Sequence, residues 1–488
     1  MAIFLLLCII KNLRQFKAKY AHDLMRPAIL FLISVFFCPI FANREQALSA
    51  INELLVDKLE FHTLENGLRV ILVQNKLSPT IAAYIKIGVG SANEPFDQAG
   101  TAHFLEHLLF KGTEQLGTLN YSKERPALEQ LFADGNRLDA LRLKLKDPLI
   151  SVAFRNQLKE KEKKIKRRMG IWENLLRPYT LSEEDSLAYE VAGQSGYNAY
   201  TSSDVTNYQI KLPSHRLELW AALESARFTK PVLREFYRER SVIQEERRMR
   251  IDSRPPSRLY ELYLKTAFGL SPYGKPVIGT ESSIPSLTHR DTTDFFHNNY
   301  GPERMVVALV GNMEPASTLK LVKKYFEKIP RRNSGYMPPF EFKPTEGLRT
   351  ANLSVKAAPY MLMGWYRPPI THPDYLSFEV LDSILTGGKS SRLNKNLVLE
   401  EKLTSNVFSY VGAGGSKLTG SFVIGAYPYK EESYDVVVEK IKDQLNQIAQ
   451  NGITDLELDR VKNEYLSALL SSLQTNAGLA EALTYYEV

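Results

Sequence analysis

The stretch His103-Phe104-Leu105-Glu106-His107 sets two imidazoles four residues apart, with a carboxylate directly before the second. On a helix, residues four apart share one face, so His103 and His107 present their rings at a separation that a single metal ion can bridge. The order reverses the commoner H-E-x-x-H arrangement, and Glu106 takes the place of the general base. The plain alternative is a pair of satisfied histidines on an ordinary helix. With only eight His in 488 residues, the pattern arises by accident on the order of once in a hundred such chains. Zinc is the metal this donor set outlines.

Two histidines leave zinc one protein ligand short of a catalytic set. Cysteine does not supply it, because Cys8 and Cys38 both lie in N-terminal apolar segments. A carboxylate does, and the segment from Phe236 to Met249 is rich in helix formers and glutamates. Glu239 and Glu246 are two helical turns apart and share a face, whereas Glu245 is rotated away from it. Phasing leaves these two as the candidates; Glu246 is taken as the third ligand and Glu239 as a supporting carboxylate. Without the histidine pair, the same segment reads as a solvated charged helix.

Beyond these residues, the chain resembles the pitrilysin/insulinase metallopeptidases, the inverzincin family that includes the mitochondrial processing peptidase and many bacterial processing-peptidase-like members. The resemblance runs through nearly everything after residue 57. It is carried by Leu64-Glu-Asn-Gly-Leu-Arg-Val-Ile-Leu72, Gly88-Val-Gly-Ser-Ala-Asn-Glu94, Gly100-Thr-Ala-His-Phe-Leu-Glu-His-Leu-Leu-Phe-Lys-Gly-Thr113 and Asn198-Ala-Tyr-Thr-Ser202. Arg238 to Glu246 and Tyr300 to Gly311 continue it. The resemblance implies His103, His107 and Glu246 as zinc ligands, Glu106 as the base and Glu239 as a second active-site carboxylate. It also makes Asn198, Ala199 and Thr201 part of an edge strand that pairs with an extended peptide substrate. The fold it implies is α+β: two related domains, each a mainly antiparallel sheet flanked by helices, facing across a cleft.

Composition agrees with a globular enzyme, at 44% hydrophobic and 24% charged residues. The formal net charge is +7, but the excess is uneven, and no nucleic-acid-binding motif accompanies it, so nucleic acid is not an expected partner. Lys17, Lys19 and Arg26 precede the apolar run Ala28 to Phe37, and Ala42 closes the stretch. Residues 1–42 therefore read as a targeting segment for export, to the periplasm in a bacterial cell, with Met25 as an alternative start.

A catalytic zinc domain is expected over 57–330, a linker over 331–350 and a homologous second domain over 351–488, whose end resembles a truncation of the family pattern. His107 and Glu246 stand 139 positions apart, farther than the family usually places them, and residues 119–190 supply the surplus. Within it, leucines at helical spacing amid dense Lys, Arg and Glu, broken at Asp147-Pro148, predict a charged helical hairpin. Its expected role is a solvated arm, with a partner or a membrane surface as the alternative contact.

The second half contains Gly387-Gly-Lys-Ser-Ser-Arg-Leu393. A phosphate loop is excluded, because Ser383 stands where that motif requires glycine. The stretch resembles instead a turn of the family's second domain, after which members that act alone carry an Arg and a Tyr that grip substrate. Val398 and Ser405 occupy those places here. The expectation is therefore a zinc endopeptidase that is the catalytic half of a heterodimer, with a metal-free homologue supplying the Arg/Tyr pair. The competing expectation is a non-catalytic structural or docking subunit of a larger assembly.

Overall fold

A computed structural model describes residues 59–332 and 346–488. The expected targeting segment and the greater part of the expected linker lie outside the described residues. Among those described, no helix is long and apolar enough to cross a membrane. The chain divides into two compact units, one comprising Glu60–Arg248 and Pro276–Pro338, the other gathering Met249–Lys275 with Pro339–Val488. The division is thus not linear at residue 330 as the sequence suggested. The helix Pro255–Phe268 belongs with the later unit because its side chains find their partners there: Tyr263 hydrogen-bonds Ser421 and Phe268 packs on Tyr273 and Tyr366.

The first unit is built on a six-stranded sheet. Its strands are β1 (Leu59–Thr63), β2 (Arg69–Gln74), β3 (Thr80–Ile87), β4 (Ser195–Thr201), β5 (Thr206–Pro213) and β6 (Met305–Gly311), in the order β1-β2-β6-β3-β5-β4. Strands β2 and β6 run parallel, while β6–β3, β3–β5 and β5–β4 are antiparallel. Strand β6, Met-Val-Val-Ala-Leu-Val-Gly, is buried along its whole length, as a central strand covered on both faces must be. Among the described residues, strand β4 has only β5 beside it, so one row of its backbone donors and acceptors faces outward.

The helices of this unit are α1 (Thr101–Leu109), α2 (Tyr121–Leu145), α3 (Val152–Leu176), α4 (Glu184–Val191), α5 (Leu217–Thr229) and α6 (Phe236–Arg247). Further along, α7 (Pro255–Phe268) belongs to the other unit, and α8 (His289–Asn299) and α9 (Pro315–Phe326) return to this one. The predicted hairpin is α2 and α3, longer at both outer ends than the leucine pattern marked. Asn120 and Ser151 cap their first turns. Leu128, Leu131 and Leu138 pack with Met169, Leu176 and Val232 between them. Helix α2 lies against the body. Gly135 is required there because the Tyr237 hydroxyl occupies the space a Cβ would need, and the buried Arg234 clasps Glu124 in two short hydrogen bonds.

The second unit carries β7 (Met361–Arg367), β8 (Thr404–Ala413) and β9 (Gly420–Pro428) in the antiparallel order β7-β9-β8, with α10 (Tyr375–Thr386) between the first two in sequence. Helices α11 (Tyr434–Asn451), α12 (Asp455–Leu473) and α13 (Asn476–Glu487) follow. The run strand, helix, then a hairpin with its second strand in the middle repeats that of β3, α1, β4 and β5. The two units are α+β and topologically related, as expected.

Candidate metal centre

Helix α1 starts abruptly. Gly100 precedes it at φ +97, a left-handed conformation, and a Cβ there would meet the Ile278 carbonyl at 2.7 Å. The buried Glu94 carboxylate then accepts hydrogen bonds from the Gly100 N–H at 3.0 Å and the Ala102 N–H at 2.7 Å. A side-chain carboxylate therefore satisfies two of the backbone donors that open the helix, which fixes where its first turn begins. His103, Glu106 and His107 all fall in the turns this start defines.

Glu246 reaches the same place from α6. Its carboxylate oxygens stand 3.8 Å from His103 Nε2 and 3.6 Å from His107 Nε2, and the imidazole centroids are 4.8 Å apart. One donor atom from each of the three residues can be chosen so that all lie within 4.8 Å of one another. Donors on one tetrahedral zinc are roughly 3.3–3.5 Å apart, given metal–ligand distances near 2.0–2.1 Å. The separations here are slightly wider and too long for hydrogen bonds between the groups. Two nitrogens and a carboxylate converging in this way match the donor chemistry of a zinc site, so the residues fit the metal.

Glu239 lies one layer out. Its carboxylate accepts a hydrogen bond from His107 Nδ1 at 2.9 Å and is held by Lys111 Nζ at 2.7 Å. Burial works to raise the Glu239 pKa, but the hydrogen bonds from His107 and Lys111 outweigh it and hold the carboxyl below its ordinary value. With its Nδ1 proton committed to Glu239, His107 offers Nε2 as a lone pair toward Glu246 and the convergence point. The helical phasing placed Glu239 and Glu246 on one face, and the structure brings both to the histidine pair. Glu245 turns outward to an exposed pair with Arg248.

The remaining sequence-selected residues are on β4. Asn198 is exposed, and Ala199 and Thr201 are partly buried. Thr201 does more than line a strand, because its hydroxyl donates to Glu106 Oε2 at 2.5 Å. Sequence reasoning missed what positions this strand. Arg227, buried in α5, bonds Glu224 at 2.9 Å, Asp185 at 3.1 Å, the Tyr197 hydroxyl at 2.6 Å and the Leu109 carbonyl at 2.6 Å. One guanidinium thereby ties the end of α1 to strand β4. The only sequence signal was an arginine amid the apolar face of a helix. Lys111 was visible in the quoted motif but had no assigned task.

The family model described as Insulinase (Peptidase family M16) matches residues 69–129, which span α1, and that described as Peptidase M16 inactive domain matches residues 286–465. The chain belongs to peptidase family M16, the insulinase family. Among curated relatives in the family, the zinc protease PqqE of Helicobacter pylori is 27% identical over 439 residues, covering 88% of this chain and 84% of that one. The uncharacterized zinc protease YmxG of Bacillus subtilis is 24% identical over 420 residues, covering 85% and 84%. A solved structure described as a protease from Helicobacter pylori superimposes with a TM-score of 0.70 at 26% identity, covering 88% of this chain and 90% of that one. The relatives of this M16 chain are thus named as zinc proteases, and its fold is that of M16 two-domain peptidases.

Proposed function

We propose that this M16 chain is a zinc-dependent endopeptidase acting on extended peptides. The observation that carries the reading is the convergence of His103 Nε2, His107 Nε2 and the Glu246 carboxylate, with Glu106 on the same helix. Those three residues would hold the zinc. Bound there, the metal supplies Lewis acidity, polarising the scissile carbonyl and making water acidic near neutrality. Glu106, held by Thr201, takes the proton of the attacking water and returns it to the leaving amine. Glu239, anchored by Lys111, keeps His107 in the tautomer that presents Nε2.

The outward backbone row of β4 receives the substrate as an added strand, a mode that draws affinity from main-chain hydrogen bonds and tolerates many side chains. Tyr197, alternating to the inner face, is locked by Arg227 and Asp185, so the receiving edge is rigid. At the positions where single-acting relatives of this type carry their Arg and Tyr, Val398 packs against the core of the second unit, and Ser405 Oγ bonds the Tyr427 carbonyl. Neither side chain grips a peptide by charge, which favours a homologous partner subunit that supplies the missing pair. The basic lead and apolar run before Ala42 favour export, to the periplasm in a bacterial host.

The test is digestion of a mixed pool of unstructured peptides by the mature chain alone, beside Glu106→Gln and a chelated sample. Cleavage lost in both controls supports the peptidase and removes the need for a partner. A folded, zinc-loaded chain that cleaves nothing, alone or with a metal-free homologue added, overturns the reading.

A further inference from the structure

The α2–α3 hairpin takes no part in the site, yet it holds the charge of the whole molecule. From Tyr121 to Arg177 there are fifteen Lys and Arg against eight Asp and Glu, a net of +7, while the full chain, with 62 against 55, is also +7. Everything else sums to zero. Because α2 is pressed to the body, down to a hydrogen bond from Lys146 Nζ to Ser286 Oγ, α3 is the outer layer.

The rotation of α3 is fixed by its inner contacts. Leu158, Met169 and Leu176 are buried, and Arg168 and Trp172 both donate to the buried Asp134 of α2. The opposite face is consequently presented to solvent. Its middle turns carry Lys159, Lys163, Lys164 and Arg167, all exposed. Lys163 is paired with Glu160, but Lys159, Lys164 and Arg167 form no ion pair among the described residues. One turn further on the same face come Ile171 and Leu175, 56% and 51% exposed.

A cationic band continued by bare aliphatic side chains is an amphipathic surface of a particular kind. A nucleic-acid backbone has no use for the isoleucine and leucine. The core of a protein interface favours aromatic residues and is depleted in lysine. An anionic bilayer uses both, because lysines and arginines reach the headgroup phosphates while aliphatic groups enter the boundary with the acyl chains. We propose that the outer face of α3 docks this protein on an anionic lipid surface through Lys159, Lys163, Lys164 and Arg167, with Ile171 and Leu175 entering the headgroup boundary. The proposal stands apart from the peptidase reading, since none of these residues touches the metal centre.

The test is cosedimentation of the mature chain with vesicles of phosphatidylcholine alone or mixed with phosphatidylglycerol. Binding is expected only to the mixed vesicles, and it should weaken steeply with added salt. Changing Lys159, Lys163, Lys164 and Arg167 together to Glu should lower the partitioning by more than about tenfold. Ile171→Ser with Leu175→Ser should lower it severalfold while leaving the salt dependence in place. Peptide cleavage in solution should be unchanged in both variants, which separates failure here from failure of the catalytic reading. Salt titration of the unaltered chain needs no variant to fold. Absence of binding to mixed vesicles, or binding indifferent to salt, overturns the proposal. So does tighter binding to duplex DNA than to mixed vesicles with the Ile171/Leu175 variant unaffected, which would make the face a general polyanion site.

Discussion

Thr201 Oγ1 lies 2.5 Å from Glu106 Oε2, a hydrogen bond from the edge strand to the carboxylate of the histidine motif. The strand that would receive a peptide therefore also orients the group that would move its protons. Thr201→Val keeps the shape and removes the donor. The expected outcome is a fall in kcat on the order of tenfold, with zinc content and KM little changed, because a hydrogen bond to a charged group contributes about 1.5–3 kcal/mol. Steady-state kinetics beside metal analysis checks this. A loss of zinc from the variant would mean that Thr201 shapes the metal centre instead.

Glu239→Gln is expected to weaken zinc affinity by about 10–100-fold, the usual cost of removing a partner that orients a metal-binding histidine. Competition with a chromogenic chelator reads this directly. Lys111→Met should move affinity in the same direction by less, since it acts on Glu239 and not on the histidine. Unchanged affinity in both would show that His107 needs no outer partner.

Arg227→Met leaves Glu224 and Asp185 buried without their shared cation. Removing one member of a buried ionic cluster costs about 3–5 kcal/mol, so a marked drop in Tm is expected in thermal unfolding. The same change leaves the Tyr197 hydroxyl held by Asp185 alone and cuts the tie to the Leu109 carbonyl, so activity should fall even at temperatures where the variant is fully folded.

His289 gives the pH prediction. Its ring stacks on Phe132 with centroids 3.7 Å apart, and burial pushes its pKa down to about 4. The unfolded chain, with an ordinary value near 6.5, then binds a proton more readily than the folded one across that window. Stability from this group is complete above about pH 6.5 and is lost as pH falls toward 4, by up to roughly 2–3 kcal/mol. Urea unfolding at pH 7 and pH 5 should show the loss in the parent chain, and His289→Phe should flatten it. An equal slope in both proteins would assign the acid sensitivity elsewhere.

The convergence of the candidate metal ligands was legible because their pattern is local and periodic. His103, Glu106 and His107 are set by one helical turn, and Glu239 and Glu246 by two turns of another, so spacing marked which groups share a face, while their separate roles came from the resemblance. What holds these elements in place depends on contacts distant in sequence. Lys111 reaching Glu239, Glu94 capping α1, and Arg227 binding both Leu109 and Tyr197 leave no periodic trace. The hairpin followed from leucine spacing and from the Asp147-Pro148 break, whereas the α+β class came from the family resemblance. The placement of α7 in the second unit came from neither, because a helix carries no mark in its own sequence of which sheet it will cover.

The span of 139 positions from His107 to Glu246 bears on how the protein comes into being. A chain emerging from the ribosome displays its histidine pair long before the third donor exists, and closing so long a loop is entropically costly until native packing rewards it. The trio is assembled only when α6 docks, with Arg247 bonded to the Gly279 carbonyl at 2.7 Å. A nascent or half-folded copy thus lacks the full donor set, and if zinc is the metal held there its capture would wait until α1 and α6 have met.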